Sequence, residues 1–516
     1  MVDDPPPLVL LHTIHKQNAG LTVVVTGASG DLAKKMTYPC LFALYRDGLL
    51  PPDTIVWGYA RSKKTHQSLR DQLRPFLVSS LKGSLGEEHL VDGFLSCCYY
   101  KSGSSYGDDQ AWTELVEVIE EHEDSVRTMH KVQSNNRLFY FAIPPERFGE
   151  TGVAIRKTAL QDTKRGWSRI ILEKPFGRDL ESYEQLSSTL SANFQEEHLY
   201  RIDHYLGKEV VQNLLLWRFG NSVWEWMWHR DAIESIKITF KEPFGTQGRG
   251  GYFDNYGIIR DIQQNHLLQV LALLAMEPPV RADGPGSGDY VRDAKTRVLQ
   301  AMPPIEMDDC LLGQYDGYAD DETIVDKNTN TPTYAALRCF VNTPRWAGVP
   351  FLLEAGKALD DRVCEVRVVF RESPAGSTMF PNRKLPRNEL VMRIQPDPVV
   401  QLVSNMKEPG FSYQPQAVPM TMDYRRDADI GSNNPQAYTR LILDVLRGRQ
   451  GSFVRTDELR RSWEIFSPLL HQIEGKGNDV AVPVVHKYPQ GSEGPTERAT
   501  FLHRVLGSSG RLTSAL

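Results

Sequence analysis

Hydrophobic positions in the first two hundred residues come in short unbroken runs, separated by longer stretches in which apolar and polar residues mix. Leu21-Thr22-Val23-Val24-Val25 is almost continuous and β-branched, as expected of a strand buried on both faces of a parallel sheet. A glycine turn follows, then a helical pattern over residues 32–46, which Gly48 stops and Pro51-Pro52 keeps from resuming. Ile55-Val56-Trp57-Gly58-Tyr59 predicts a second strand, and residues 138–143 and 169–172 two more, with helical stretches such as 112–121 between them. Strand-helix alternation at this spacing predicts an α/β, Rossmann-like unit with a doubly wound parallel sheet.

The pattern changes after about residue 200. Residues 233–240, 334–341, 363–370 and 389–395 read as strands, several alternating apolar with polar, which predicts an antiparallel sheet with one wet face. Helices are expected over 257–276 and 437–446, and loops over 281–288 and 371–387. A chain of 516 residues exceeds what one core usually serves. The expected division is a disordered lead over 1–20, a dinucleotide-binding domain over 21–200, and a larger α+β domain with an extensive, mostly antiparallel sheet over 201–516.

Charge narrows the partners. With 59 Lys and Arg against 65 Asp and Glu, the formal charge of −6 argues against a nucleic acid or an anionic membrane, so any phosphate site must come from local clustering. The six cysteines (Cys40, Cys97, Cys98, Cys310, Cys339, Cys364) show no metal-ligand spacing, so no metal is expected, and they suit a reducing compartment. The acidic, Pro-rich start is no secretory signal, and the longest apolar stretch, 267–276, is too short to span a bilayer. A cytoplasmic location is expected. The alternative is a peroxisome-like organelle, from a C-terminal Ser514-Ala515-Leu516 that lacks the central basic residue of that address.

Two segments carry candidate chemistry. Thr26-Gly27-Ala28-Ser29-Gly30-Asp31-Leu32-Ala33-Lys34 joins the first strand to the first helix. Gly27 would allow the tight turn, Gly30 close backbone approach, and Ala33 a helix near the sheet whose first amides meet a pyrophosphate. At the end of the second strand, where a free ribose 2′-hydroxyl would call for a carboxylate, stands Arg61-Ser62-Lys63-Lys64. That suits a 2′-phosphate, hence NADP. The second segment is Arg201-Ile202-Asp203-His204-Tyr205-Leu206-Gly207-Lys208, whose cations, carboxylate and imidazole suit a pocket that grips an anion and moves a proton. On a helix His204 and Lys208 would share a face. Taken alone, the segment suits an ordinary surface network equally well.

These segments stand in order with Glu173-Lys174-Pro175-Phe176-Gly177-Arg178-Asp179, Phe240-Lys241-Glu242-Pro243-Phe244-Gly245, Gly257-Ile258-Ile259-Arg260-Asp261, Asn265-His266-Leu267-Leu268-Gln269, and Arg345-Trp346 through Gly356-Lys357-Ala358-Leu359. In that order, over about residues 21–475, the chain closely resembles the glucose-6-phosphate dehydrogenase family. The resemblance implies oxidation of C1 of β-D-glucose 6-phosphate with NADP to 6-phosphoglucono-1,5-lactone and NADPH, the first step of the oxidative pentose phosphate pathway, by a homodimer or homotetramer. It also implies roles. His266 looks like the general base and Asp203 its partner. Lys174, His204, Tyr205, Lys208, Glu242, Asp261, Lys357 and Arg362 look like substrate contacts, with His204, Tyr205 and Lys208 on the phosphate. Gly27, Ala28, Ser29, Gly30, Asp31, Leu32, Lys34, Arg61 and Tyr140 look like cofactor contacts, and Lys174 bridges both ligands. Glu-Lys-Pro also occurs in the glucose-fructose oxidoreductase and inositol dehydrogenase group, the rival reading. A neutral polyol, however, needs no His204–Lys208 cluster. One departure stands out. Some members bind a second, structural NADP where they carry an arginine, while this chain has Glu354, and Val363 in place of a lysine. An acid beside a phosphate would repel it, so that second site is not expected here.

Overall fold

The computed structural model describes residues 19–81, 86–284, 286–383, 385–411, 414–423, 435–476 and 483–507; the expected N-terminal lead, save its last two residues, and the C-terminal tripeptide lie outside them. The described residues divide into two compact units, one within 1–177, 181–207 and 435–456, the other within 178–180, 208–434 and 457–516.

In the first unit, β1 (Ala19–Thr26), β2 (Ile55–Ala60), β3 (Cys98–Ser102), β4 (Ser134–Phe141), β5 (Ser168–Leu172) and β6 (Leu199–Arg201) form one sheet in the order β3-β2-β1-β4-β5-β6. Every pairing is parallel. The β-branched run explains why β1 is central: Val23, Val24 and Val25 have no exposed surface. Burying each contributes roughly 1.5–3 kcal/mol before chain entropy is subtracted. Strand order reverses between β1 and β4, and in such sheets ligands bind beyond the carboxyl ends of the strands at that point.

The first unit runs past the expected boundary at residue 200 to Gly207, and it takes in residues 435–456. The cause is non-local burial. Leu441, Ile442 and Val445 of the helix Ala437–Arg447 are fully buried in the same cluster as Tyr38, Leu41 and Phe42. Arg169 donates to the carbonyls of Val445 and Leu446, and Arg201 bridges to Val454.

Among the described residues the second unit is built on nine strands: β7 (Ile233–Lys241), β8 (Cys310–Tyr315), β9 (Tyr334–Cys339), β10 (Phe351–Gly356), β11 (Val363–Phe370), β12 (Glu389–Gln395), β13 (Val399–Lys407), β14 (Pro415–Asp423) and β15 (Val485–Tyr488). Their order is β14-β13-β12-β11-β7-β10-β9-β8-β15. Pairings are antiparallel except β10 with β7 and β15 with β8. The expected wet face is absent from β7 and β10, while β11 keeps the alternation, with Glu365 and Arg367 half-buried. Lys237 of β7 and Glu354 of β10 are buried, because Glu354 pairs with Lys237 (2.5 Å) and with Arg498 (2.5 Å) from the helix Arg498–Leu506, and Tyr334 donates to the same carboxylate at 2.9 Å. The expected loop at 371–387 contains a short helix, Pro374–Met379, capped by the Ser373 hydroxyl accepting from Gly376 N–H. The helix expected over 257–276 begins as a π-helical segment, Ile259–Leu267, and becomes α-helical only over Leu268–Ala275.

Candidate active site

In the first unit the candidate residues gather at the carboxyl ends of the strands. Gly27 ends β1 with φ 77°, and a Cβ there would lie 2.2 Å from the Ala142 carbonyl oxygen, so the turn admits only glycine. Its N–H donates to the Tyr59 carbonyl at 2.8 Å, which ties the turn to the end of β2. Arg61 follows directly, exposed, its guanidinium 5.4 Å from the Tyr106 ring centroid. Ser62 donates to Ser29 at 2.8 Å, linking the basic turn to the glycine turn. The segment after the turn starts as a π-helix, Ala33–Thr37. Hydrogen bonds from Lys34 and Lys35 hold the exposed Asp31 carboxyl down at about 2. A positive-φ glycine at a strand end, followed by a helix start and flanked by basic residues, fits a dinucleotide phosphate.

Farther along the same edge, Tyr140 is fully buried and donates to Glu173 at 2.5 Å, so its phenol is committed inside the protein. Burial pushes the Glu173 carboxyl up to about 7. Lys174 comes next in the chain. Beyond β6, Arg201 is buried and paired with Glu196 at 2.6 Å, so it braces the fold. Asp203 is buried and accepts from the Tyr205 N–H at 2.9 Å. His204, Tyr205 and Gly207 lie in a 3-10 turn, with the Tyr205 ring buried and 5.0 Å from that of His204. His204 and Lys208 do not share a helix: Lys208 has extended backbone and caps the helix Glu209–Phe219. The turn ends at Gly207, which separates them.

In the second unit, the parallel pairing of β7 with β10 brings their ends together. Glu242 follows β7 and Lys357 follows β10; Glu242 N–H donates to Gly356 O at 3.0 Å and Ala358 N–H to Phe244 O at 3.0 Å. Lys357 consequently meets Glu242 at 2.6 Å and Asp261 at 4.0 Å. Asp261 and His266 both sit on the π-helical segment, where i→i+5 closure sets residues five apart one above the other; such segments are frequent at functional sites. Gln263, between them, donates to the carbonyls of Ala335 (β9) and Leu353 (β10), both at 3.0 Å, and anchors the segment to the sheet. His266 is buried, and its N–H donates to Asn265 Oδ1 at 2.6 Å. Burial lowers the affinity of Lys208 for its proton, with the Arg362 charge adding to the effect, while Arg362 itself is exposed. One lysine between two carboxylates, close to a histidine-bearing segment, can read several hydroxyl groups and still offer a cation.

Two residues beside these were not singled out in the sequence. Glu173 stood in a quoted motif but had no role; its burial against Tyr140 depends on tertiary packing. Tyr438 lies on the helix Ala437–Arg447, and its ring is parallel to that of His204 (centroids 5.7 Å, interplanar angle 10°). Nothing local to residue 438 signals that.

Residues 24–213 match the family described as glucose-6-phosphate dehydrogenase, NAD binding domain, and residues 215–507 match glucose-6-phosphate dehydrogenase, C-terminal domain. The chain is 46% identical over 492 residues to glucose-6-phosphate 1-dehydrogenase 5, cytoplasmic, of Arabidopsis thaliana, covering 95% of this chain and 92% of that one. To the cytoplasmic isoform of Solanum tuberosum it is 47% identical over 487 residues, 94% and 91% of the two chains. Among solved structures, a glucose-6-phosphate dehydrogenase in complex with its substrate glucose-6-phosphate superposes with TM-score 0.86 at 42% identity, covering 96% of this chain and 99% of that one. Glucose-6-phosphate 1-dehydrogenase from Mycobacterium avium does so with TM-score 0.79 at 34% identity, covering 94% and 97%.

Proposed function

Because the chain belongs to the glucose-6-phosphate dehydrogenase family, we propose that it oxidises C1 of β-D-glucose 6-phosphate to 6-phosphoglucono-1,5-lactone, with NADP as the hydride acceptor. It is an oxidoreductase acting on a CH–OH donor, and it takes a nicotinamide dinucleotide. The observation that carries the substrate reading is Lys357 held between Glu242 and Asp261, next to the segment that bears His266. Hydride leaves an alcohol carbon as its O–H proton departs, so the step needs a neutral base at the C1 hydroxyl. His266 takes that role and Asp203 is its carboxylate partner, an assignment resting on the motif match. Glu242 and Asp261 accept sugar hydroxyls. His204, Tyr205 and Lys208 grip the phosphate, with Lys174, Lys357 and Arg362 as further substrate contacts, so that remote binding energy orients C1. Residues 27–34, Arg61, the strand end at Tyr140, and Lys174 hold the dinucleotide.

Absorbance of the reduced nicotinamide tests the reading. With glucose in place of glucose 6-phosphate, kcat/KM should fall by roughly 10³-fold or more, since hydrogen bonds to a charged group are worth about 1.5–3 kcal/mol each and several are lost together. Equal rates would sink the phosphate grip. NADP preference is supported by exposed Arg61 at the end of β2, where no carboxylate stands. Arg61→Ala should raise KM for NADP about tenfold or more and change KM for NAD little; a parallel rise for both would remove Arg61 from the 2′-phosphate. The same reading places the chain in the cytoplasm, as the relatives' names do for them, and in a homodimer or homotetramer. No helix among the described residues is long and apolar enough to cross a membrane.

A further inference from the structure

Three contacts tie the start of the helix Ala437–Arg447 to the turn that carries His204, and a fourth ties it to Glu173. A Cβ on Gly207 would lie 2.5 Å from the Ala437 carbonyl oxygen, so the helix and the turn touch backbone to backbone. Arg440 donates to the Gly207 carbonyl at 3.1 Å. The Tyr438 ring lies parallel to the His204 imidazole, centroids 5.7 Å apart at 10°. Its hydroxyl donates to Glu173 Oε2 at 3.4 Å, and the other oxygen of that carboxylate accepts from Tyr140 at 2.5 Å. The buried carboxyl of Glu173, the residue before Lys174, thus joins the strand end at Tyr140 to the ring that backs His204.

We propose that Tyr438 is a positioning residue for substrate binding: its ring plane, fixed by the helix packed on the first unit's core and by its bond to Glu173, sets the orientation in which His204 meets the sugar phosphate. An imidazole on a short turn can swing about χ2, and the broad twofold profile of that torsion does little to stop it. A flat neighbour on a helix whose Leu441, Ile442 and Val445 are wholly buried removes that freedom before the substrate arrives. The proposal rests on the reading of His204 as a phosphate ligand.

Steady-state kinetics on the full-length protein separate the two. Tyr438→Leu removes the plane, and KM for glucose 6-phosphate should rise roughly three- to tenfold, the range an aromatic pair supports, with kcat and KM for NADP within about twofold. Tyr438→Phe keeps the ring on its buried helix and loses only the bond to Glu173, so KM should rise clearly less than in the Leu variant. In a His204→Ala background, which itself should raise KM, adding Tyr438→Leu should raise it no further. Should the Leu variant fail to fold, Tyr438→Met fills a similar volume without a plane and takes its place. An unchanged KM in the Leu variant, an equal rise in the Phe variant, or a full additional rise in the His204→Ala background would each overturn the proposal. An unchanged KM in His204→Ala alone would instead remove the phosphate reading beneath it.

Discussion

Replacing His266 with asparagine should lower kcat by roughly 10²- to 10⁴-fold, the range a positioned general base supplies, while KM for glucose 6-phosphate changes only a few-fold. Asparagine keeps a polar side chain and the chain direction but cannot take the C1 hydroxyl proton. The segment that carries it should stay in place. Gln263 fixes it to the backbones of β9 and β10 through two bonds that do not involve residue 266, and the bond from residue 266 to Asn265 uses the main-chain N–H. Ile262 and Leu267 remain packed on the same segment. A loss in kcat at nearly constant KM is the signature of an interaction made only in the transition state. The pH profile offers a second readout. With His266 as the base, wild-type kcat/KM should fall on the acid side as the neutral imidazole is lost, and that fall should flatten in the residual activity of the variant. Near-normal turnover in the variant would remove His266 as the base.

How far such a site could be read from the chain alone depended on the range of the contacts involved. The parallel sheet was legible because Val23, Val24 and Val25 run consecutively with no polar residue alternating between them, and their full burial follows. The glycine turn was legible because its constraint is local: Gly27 must adopt positive φ where the strand ends. The helix Ala437–Arg447 was visible as a helix, but its place in the first unit was not, since that rests on contacts with residues 233 or more positions earlier in the chain. Tyr438 was lost for the same reason. The π-helical start at Ile259 left no mark either, because its apolar pattern suits an α-helix equally. Lys237 lies in the expected strand over 233–240, where a polar residue signals solvent unless a partner covers it; here the partner is Glu354, on a strand that was not expected, with Arg498 behind it. The candidate roles of His266 and Asp203 came from resemblance, for a histidine ahead of an apolar run is by itself an ordinary core residue.

That buried cluster sets the second large expectation. Glu354→Gln should destabilise the second unit by about 3–5 kcal/mol, read as a shift in its urea midpoint at pH 7 with unchanged slope. Glutamine conserves volume and removes the charge, which leaves Lys237 and Arg498 as cations against a neutral amide in a place with no solvent: Glu354 has no exposed surface and Lys237 almost none. The two cations hold the Glu354 carboxyl well below the usual carboxylate range. With the folded value depressed, the stabilisation is fully present above the unfolded carboxylate's pKa of about 4.3 and is lost as pH falls through the folded value; the Gln variant should therefore lack this acid-dependent component. A double variant sharpens the test. Lys237→Met with Glu354→Leu removes both buried charges, and Arg498 retains Glu493 at 2.7 Å nearer the surface, so most of the loss should be recovered. A shift below about 1 kcal/mol in the Gln variant would mean that the cluster is no more valuable than a surface pair. The consequence reaches the candidate site. The strands that Lys237 and Glu354 clamp are β7 and β10, whose ends present Glu242 and Lys357 to one another, so the charge pair inside the sheet and the ion pair at its edge share one register.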